Sequence, residues 1–346
     1  MKRVIIRIIA CFAGAALLTG CFGEYNPHGK PVENPIGFDA GTLLLRDDAT
    51  RTATLKDTFA ASDSFAVFAL FNNNASSPVF DDTHVGYNGS AWYYDHPKGW
   101  AWSQNEDWYD FIAVAPETAG AARLAGAPGR LTVTVDYSVA SDNYDLMAAT
   151  YTRQGAVDPL ERTLPVPFAF KHMLAAVRVD AVNISGSGSF TLNSYCFKNV
   201  INVATLKATI NSAGRESFLW INAESSSSAV RTENPPAGTH NPVSPGDTLV
   251  GAGFNLFIPQ RLDESVNAPV LEITYTPSGA AESTTVSVAL TDIRQVSDDT
   301  PITEWTMGVK YLYEIRVRLD GGVEIRVKTV DWDSEVYETP GIMIPE

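Results

Sequence analysis

Cysteine is almost missing from this chain: Cys11, Cys21 and Cys196 are its three examples in 346 residues. Cys11 and Cys21 sit in the first two dozen residues, so Cys196 has no partner in the body of the protein. An intrachain disulfide and a cysteine-based zinc site are both excluded there. Positive charge is also scarce, with 25 Lys and Arg against 40 Asp and Glu and a net charge of -15. Such a surface repels a phosphate polyanion, so no nucleic acid is expected as a partner. The five histidines, His28, His84, His96, His172 and His240, include no i, i+2 or i, i+4 pair of the kind that holds a metal. No Gly-x-Ser-x-Gly elbow and no phosphate loop occur. Gly186-Ser187-Gly188 and Gly251-Ala252-Gly253 read as turns, and Asp81-Asp82 and Asp298-Asp299, which miss a calcium-loop spacing, read as solvated loop charges. With no convergent acid, base and nucleophile, neither an enzyme nor a cofactor is expected, and no fixed-period repeat suggests a solenoid.

What is present begins at the N-terminus. Met1-Lys2-Arg3 and Arg7 flank an apolar core, Ile8 to Leu18, that is too short to span a bilayer as a helix and reads as an export signal over residues 1–20. Leu18-Thr19-Gly20-Cys21 resembles the bacterial lipobox, which makes Cys21 the expected lipidation site and the outer membrane the expected attachment. At about 0.8 kcal/mol per buried methylene, two or three acyl chains hold a protein at a membrane almost permanently. Residues 22–34, rich in Gly, Pro and Asn, read as a tether. Ile36, Phe38 and Leu43-Leu44-Leu45 then bring apolar residues without helical spacing, as in a strand able to leave or join a sheet.

From Ala53 onward the signals are nearly all β. Ser64 to Phe71 is an apolar run of strand length, Asn88-Gly89 between two β-prone pieces signals a hairpin, and Leu131 to Tyr137 alternates strictly. Short helices are expected only at residues 116–124 and 199–206. About 325 residues after the signal exceed what one core usually holds. Pro159, Pro165 and Pro167 punctuate the chain before a fresh run of strands, which places a boundary near residue 165. The expected organisation is a tether with a propeptide strand over 21–51, sandwiches over 52–165 and 166–332, and a tail over 333–346.

The closing hairpin is predicted to the register. A three-residue loop, Asp320-Gly321-Gly322, opposes Leu319 to Val323, Val317 to Ile325 and Ile315 to Val327, keeping one apolar face. It also pairs Arg318 with Glu324 and Glu314 with Lys328, at the cost of setting Arg316 against Arg326. The aromatic block holding Trp92, Trp100, Trp102 and Trp108 admits two assignments: indole faces for a glycan, which makes a monomeric glycan-binding lipoprotein the alternative function, or sandwich core.

Several motifs in order resemble the fimbrillin family, also called Mfa-like or type V pilin proteins. They are the lipobox at Cys21; Thr50-Arg51-Thr52-Ala53; Phe65-Ala66-Val67-Phe68-Ala69; Trp108 to Pro116; Asp145 to Ala149; Phe170-Lys171-His172-Met173-Leu174-Ala175-Ala176-Val177; Phe257-Ile258-Pro259-Gln260; and Lys310-Tyr311-Leu312-Tyr313 between Trp305 and Trp332. The resemblance implies an all-β chain of two tandem transthyretin-like (Ig-like) β-sandwich domains, exported as a lipoprotein to the cell surface. It further implies a stalk, anchor or tip subunit of a fimbrium that supports adhesion, with a host or bacterial surface ligand among its partners. In that family a protease cuts after an arginine and frees the first strand, and a neighbour's extended segment fills the groove by strand addition. Arg51 matches the cut context best, with Thr52 in place of the usual alanine, and Arg46 is the second candidate. Residues 333–346 are the candidate donor, against which Pro340 and Pro345 count, because each removes a backbone N–H.

Overall fold

A computed structural model describes residues 36–41 and 59–332, apart from residues 73, 75, 95–101, 103–107, 118–122, 128–129, 143, 155–163, 212, 234–240, 252 and 264–266. The fold is all-β. Among the described residues the helical content is one 3-10 turn, Leu290–Asp292.

A six-stranded sheet runs in the order Lys171–His172, Met147–Gln154, Trp108–Ala115, Ser64–Phe71, Phe80–Tyr87, Trp92–Tyr93. Its central strands are apolar end to end because both faces are covered. On one side Phe68, Leu70, Ile112 and Val114 meet Val133, Val135, Leu206 and Ala208 of a four-stranded sheet. On the other, Phe65, Val67, Phe111 and Ala113 meet Ile36, Phe38, Val166 and Phe168. A strand wet on one face alternates; one dry on both does not. The run Phe65 to Leu70 is accordingly buried at every position.

The four-stranded sheet is ordered Glu216–Ser226, Val200–Ile210, Arg130–Ser138, Arg123–Ala127. Its two long strands come from the second half of the chain, and Val203 to Ile210 pair with Leu131 to Ser138 along their whole length. Strand Lys171–His172 likewise pairs back with Met147 and Ala148. Hydrogen bonding therefore crosses residue 165 repeatedly, and the boundary expected there does not divide the fold. Prolines mark a loop, but they carry no information about which sheet a later strand joins.

The remaining strands form a second pair of sheets. Ala175–Asn183 and Val309–Arg318 run parallel at the centre of one, flanked by Thr248–Leu249 on one side and by Gly322–Asp331 and Arg294–Gln295 on the other. The other is ordered Val230–Glu233, Phe190–Lys198, Val270–Pro277, Thr284–Ala289. Between them Phe197 packs on Phe257, Trp305 and Tyr313, and the Trp305 indole donates to the Tyr313 hydroxyl at 2.9 Å. That bond satisfies two polar groups in a dry core, where an unmade bond costs about 1–3 kcal/mol. One continuous apolar cluster links this core to the first sandwich.

Two local expectations change. Residues 200–206 are strand rather than helix: Asn199 takes a left-handed φ of 60° and Val200, Ile201 and Val203 follow, β-branched residues that suit a pleated surface. Arg123 and Leu124 are also in a strand. In the closing hairpin the loop keeps three residues but uses Leu319, Asp320 and Gly321, so Val317 faces Val323, Ile315 faces Ile325 and Tyr313 faces Val327. The apolar face is preserved, and the charges improve. Arg316 now sits across from Glu324 and Glu314 across from Arg326, which removes the Arg316 to Arg326 clash of the expected register. Gly322 opens the returning strand at φ 100°, a conformation that side chains resist.

Because Leu206 is fully buried and belongs to a second-half strand inside the first sandwich, Leu206→Ala is expected to cost about 2–5 kcal/mol. Unfolding in urea, followed by tryptophan fluorescence and circular dichroism, should remain a single transition, and two separated transitions would contradict a shared core. Asp110 is buried, and burial raises its carboxyl pKa although the Thr152 hydroxyl donates to it at 2.8 Å. A carboxyl held above its usual value destabilises the fold while ionised and ceases to as pH falls through its folded pKa. Asp110→Asn should therefore raise the urea midpoint at pH 7.5, with the gain disappearing in acid.

Candidate functional site

Residues 36–41 form the site that the topology singles out. Phe38–Gly41 runs parallel to Val166–Ala169, with Phe38 opposite Val166 and Gly41 opposite Ala169. Among the described residues Val166–Ala169 has no other ladder partner. Ile36, Phe38 and Ala40 point inward and are buried, whereas Asp39 between them is exposed, as the two-residue period of a strand requires.

The Phe38 ring is surrounded by five others. It stacks on Phe168 at 5.7 Å and meets Phe80 at 5.3 Å, Tyr94 at 5.4 Å, and Phe65 and Phe111 at 6.3 Å edge-on. These separations are those at which aromatic pairs attract beyond simple burial. Two hydrogen bonds hold the strand's backbone at the Ile36 end: the Tyr94 hydroxyl donates to the Ile36 carbonyl at 2.6 Å, and the Val166 N–H donates to the Gly37 carbonyl at 2.8 Å. Ile36 and Phe38 each contribute roughly 1.5–3 kcal/mol by burial. Without residues 36–41, the site is an aromatic groove beside an unpaired strand, and its chemistry is that of recognising an extended apolar peptide.

The indoles of the aromatic block are distributed differently from a sugar platform. Trp92 is buried against Phe65 at 4.6 Å and Phe59 at 4.9 Å, as part of the groove's supporting wall. Trp102 is buried against Tyr109 and Phe111, with the Arg153 guanidinium 4.3 Å over its ring. Trp108 is 50% exposed, so among the described residues it alone of the block offers a face. A buried indole cannot stack on a glycan. Trp100, Cys21, Arg46, Arg51 and the tail at 333–346 lie outside the described residues.

His172 is packed and hydrogen-bonded. Its Nδ1 lies 2.8 Å from an Asp145 carboxylate oxygen, and its ring stacks on Trp332 at 4.2 Å, pinning the end of the last strand to the first sandwich. Asp298 accepts from the Thr300 N–H and hydroxyl within its own turn, and Asp299 pairs with Arg326. No group of three His, Cys, Asp or Glu suited to a metal occurs among the described residues. Tyr94 and Phe168 were not singled out in the sequence. The sole signal there was that Phe168 and Phe170 alternate just after the prolines, a spacing that suits a strand with one buried face.

A family model described as fimbrillin-like matches residues 50–332. The chain belongs to the fimbrillin-like family. Its fold is similar to that of a fimbrial protein from Bacteroides vulgatus, at 16% identity and a TM-score of 0.53, covering 86% of this chain and 99% of that one. A fimbrilin from Porphyromonas gingivalis is 10% identical, with a TM-score of 0.43 over 86% of this chain and 97% of that one. A search of curated proteins finds no match. The family match opens at residue 50, so the groove-filling strand of this fimbrillin-like chain lies before it. Family membership supports a fimbrial subunit rather than an enzyme.

Tyr94→Phe removes one hydrogen bond and keeps the ring in the cage, so a loss of about 1 kcal/mol is expected. Hydrogen exchange read by mass spectrometry should rise across residues 36–41 and stay unchanged in Val309–Arg318; equal rises in both would show a general loosening instead.

Proposed function

We propose that this chain is a structural subunit, as stalk, anchor or tip, of a cell-surface fimbrium assembled by strand exchange. Export proceeds through the lipoprotein signal, with Cys21 as the lipidated residue that holds the precursor at the outer membrane. Cleavage after Arg51 or Arg46 then separates residues 36–41 from the rest of the chain. A neighbouring subunit's extended segment, for which residues 333–346 are the candidate, takes the vacated place.

The observation that carries this reading is the position of the inserted strand. It is buried like core, yet it lies between Cys21, the expected lipidation site, and the two candidate cut sites, joined to the fold by one short parallel ladder. A cut at either arginine turns an integral strand into a removable plug. Its loss leaves unpaired backbone and an aromatic groove in water, a state that favours capture of another strand. Adhesion is the role expected of the assembled fibre, with a host or bacterial surface ligand as its target.

The test is the N-terminus. Mass spectrometry of surface-sheared filaments is expected to show chains beginning at Asp47 or Thr52, and chains beginning at Cys21 in the membrane fraction. Filaments built wholly of chains that begin at Cys21 would overturn the proposal.

A further inference from the structure

We propose that the edge strand Thr284–Ala289 is a self-association surface, and that its occupant is the same strand of a second copy, paired antiparallel about a two-fold axis at Ser287. This edge lies in the second pair of sheets and is independent of the groove at residues 36–41 and of any cut at Arg46 or Arg51.

An outermost strand carries a row of unpaired N–H and C=O groups, and proteins blunt such edges by keeping them short or by charging them. Among the described residues, seven of the eight outermost strands of the four larger sheets follow that rule. Lys171–His172, Trp92–Tyr93, Thr248–Leu249 and Arg294–Gln295 are two residues long. Val230–Glu233, Glu216–Ser226 and Arg123–Ala127 each carry at least one charged residue. Thr284–Ala289 is neither short nor charged. It reads Thr-Thr-Val-Ser-Val-Ala, six residues without charge, proline or glycine, and it pairs with Val270–Pro277 without a bulge. In a chain of net charge -15, an uncharged edge lets two copies approach without like charges meeting across it.

The ladder already made decides which backbone groups face outward. The Leu290 N–H donates to the Pro269 carbonyl at 2.8 Å, in the register that sets Ala289 across from Val270. Hydrogen-bonded pairs recur at every second residue of an antiparallel ladder, so Val288, Val286 and Thr284 also bond inward. Thr285, Ser287 and Ala289 therefore turn their backbone groups to the open edge. The Thr285 and Thr274 hydroxyls, 3.0 Å apart, agree with this, because side chains approach more closely at the pairs that do not exchange backbone bonds.

One register of a second copy uses all three outward residues. Ser287 exchanges both of its backbone bonds with Ser287 of the second copy, and Thr285 of each pairs with Ala289 of the other. Val286 then lies across from Val288, twice, on the half-buried face, while small hydroxyl and methyl groups meet on the wet face. A slip of one residue sets a valine against a wet-face hydroxyl, and a slip of two leaves one of the three outward residues without a counterpart in the strand. Glu272, beside Ser287 on the inner strand, is held by Lys198 at 2.7 Å. Glu282 and Asp292 stand beyond the ends of the strand, so salt strengthens the pairing. A six-residue ladder is small beside the roughly 1,200 Å² of a stable complex. Single copies therefore associate weakly, and copies arrayed on a surface or along a fibre hold together firmly.

The experiment is cysteine cross-linking of the full-length chain on the cells that make it, with air as oxidant and copper-phenanthroline as catalyst. Ser287→Cys sets two thiols on residues whose Cα atoms are about 5.5 Å apart in this register, inside the roughly 4.4–6.8 Å that a disulfide spans. Thr285→Cys, on the same face, sets them about 13 Å apart and is the control. Cys196 is buried, so the wild-type chain is the blank. A disulfide-linked dimer at least tenfold more abundant from Ser287→Cys than from Thr285→Cys is expected. Co-expressed Thr285→Cys and Ala289→Cys chains should cross-link to each other and not to themselves. Both positions are on an edge strand and the substitutions are small, and a wild-type urea midpoint confirms folding. No dimer from Ser287→Cys, equal dimer from Ser287→Cys and Thr285→Cys, or a disulfide to a different protein in its place would overturn the assignment. Chains that never polymerise yet give the Ser287→Cys dimer would remove the fimbrial reading and leave this one standing.

Discussion

An apolar sheet face must be covered, and in this protein the cover is the short parallel pair of Phe38–Gly41 and Val166–Ala169. The outer face of the six-stranded sheet carries Phe65, Phe80 and Phe111, and Phe38 is the ring around which they close. Taken away, it leaves a patch of a kind that monomeric proteins seldom expose. The aromatic wealth of residues 59–111 follows from this demand. Trp92 and Phe59 support the cage from behind, and Trp102 seals the far end of the same apolar cluster.

The groove can serve as a fixed socket because the rest of the sheet does not depend on the inserted strand. Ser64–Phe71 and Trp108–Ala115 are paired on both sides by their own neighbours. Their opposite face is held by a sheet whose two long strands come from later in the chain, and one apolar cluster runs on into the second sandwich. Separating the two sandwiches requires opening that continuous apolar cluster as well as the His172 to Trp332 stack at the seam. A fold stitched in this way can present one open edge without coming apart.

Much of the strand content was legible. Ser64 to Phe71, the Asn88-Gly89 turn and the alternation of Leu131 to Tyr137 all became strands or a hairpin in the structure, because each rests on local chemistry: period, turn propensity and branching. Residues 199–206 failed as a helix for an equally local reason that was underweighted, the β-branched run after Asn199. The closing hairpin shows the limit of pattern. Parity of the apolar face allows registers two residues apart, and the choice fell to cross-strand charge pairing and to where a glycine could take positive φ. The boundary near residue 165 failed because pairing partners are decided over distances that composition does not encode.

By itself the sequence determined the class of the molecule: an acidic, all-β chain without metal-ligand or catalytic patterns, whose motifs resemble fimbrillins. Those properties follow from composition and short-range spacing, which are read one window at a time. Only the tertiary structure decided that residues 36–41 are a buried strand, that Phe38 has five ring neighbours, and that Val200–Ile210 completes a sandwich begun seventy residues earlier with Arg130–Ser138. Each of these depends on which distant segments win the competition to cover one another's apolar faces. That competition is settled by shape and register in three dimensions, so no single stretch of chain contains its outcome.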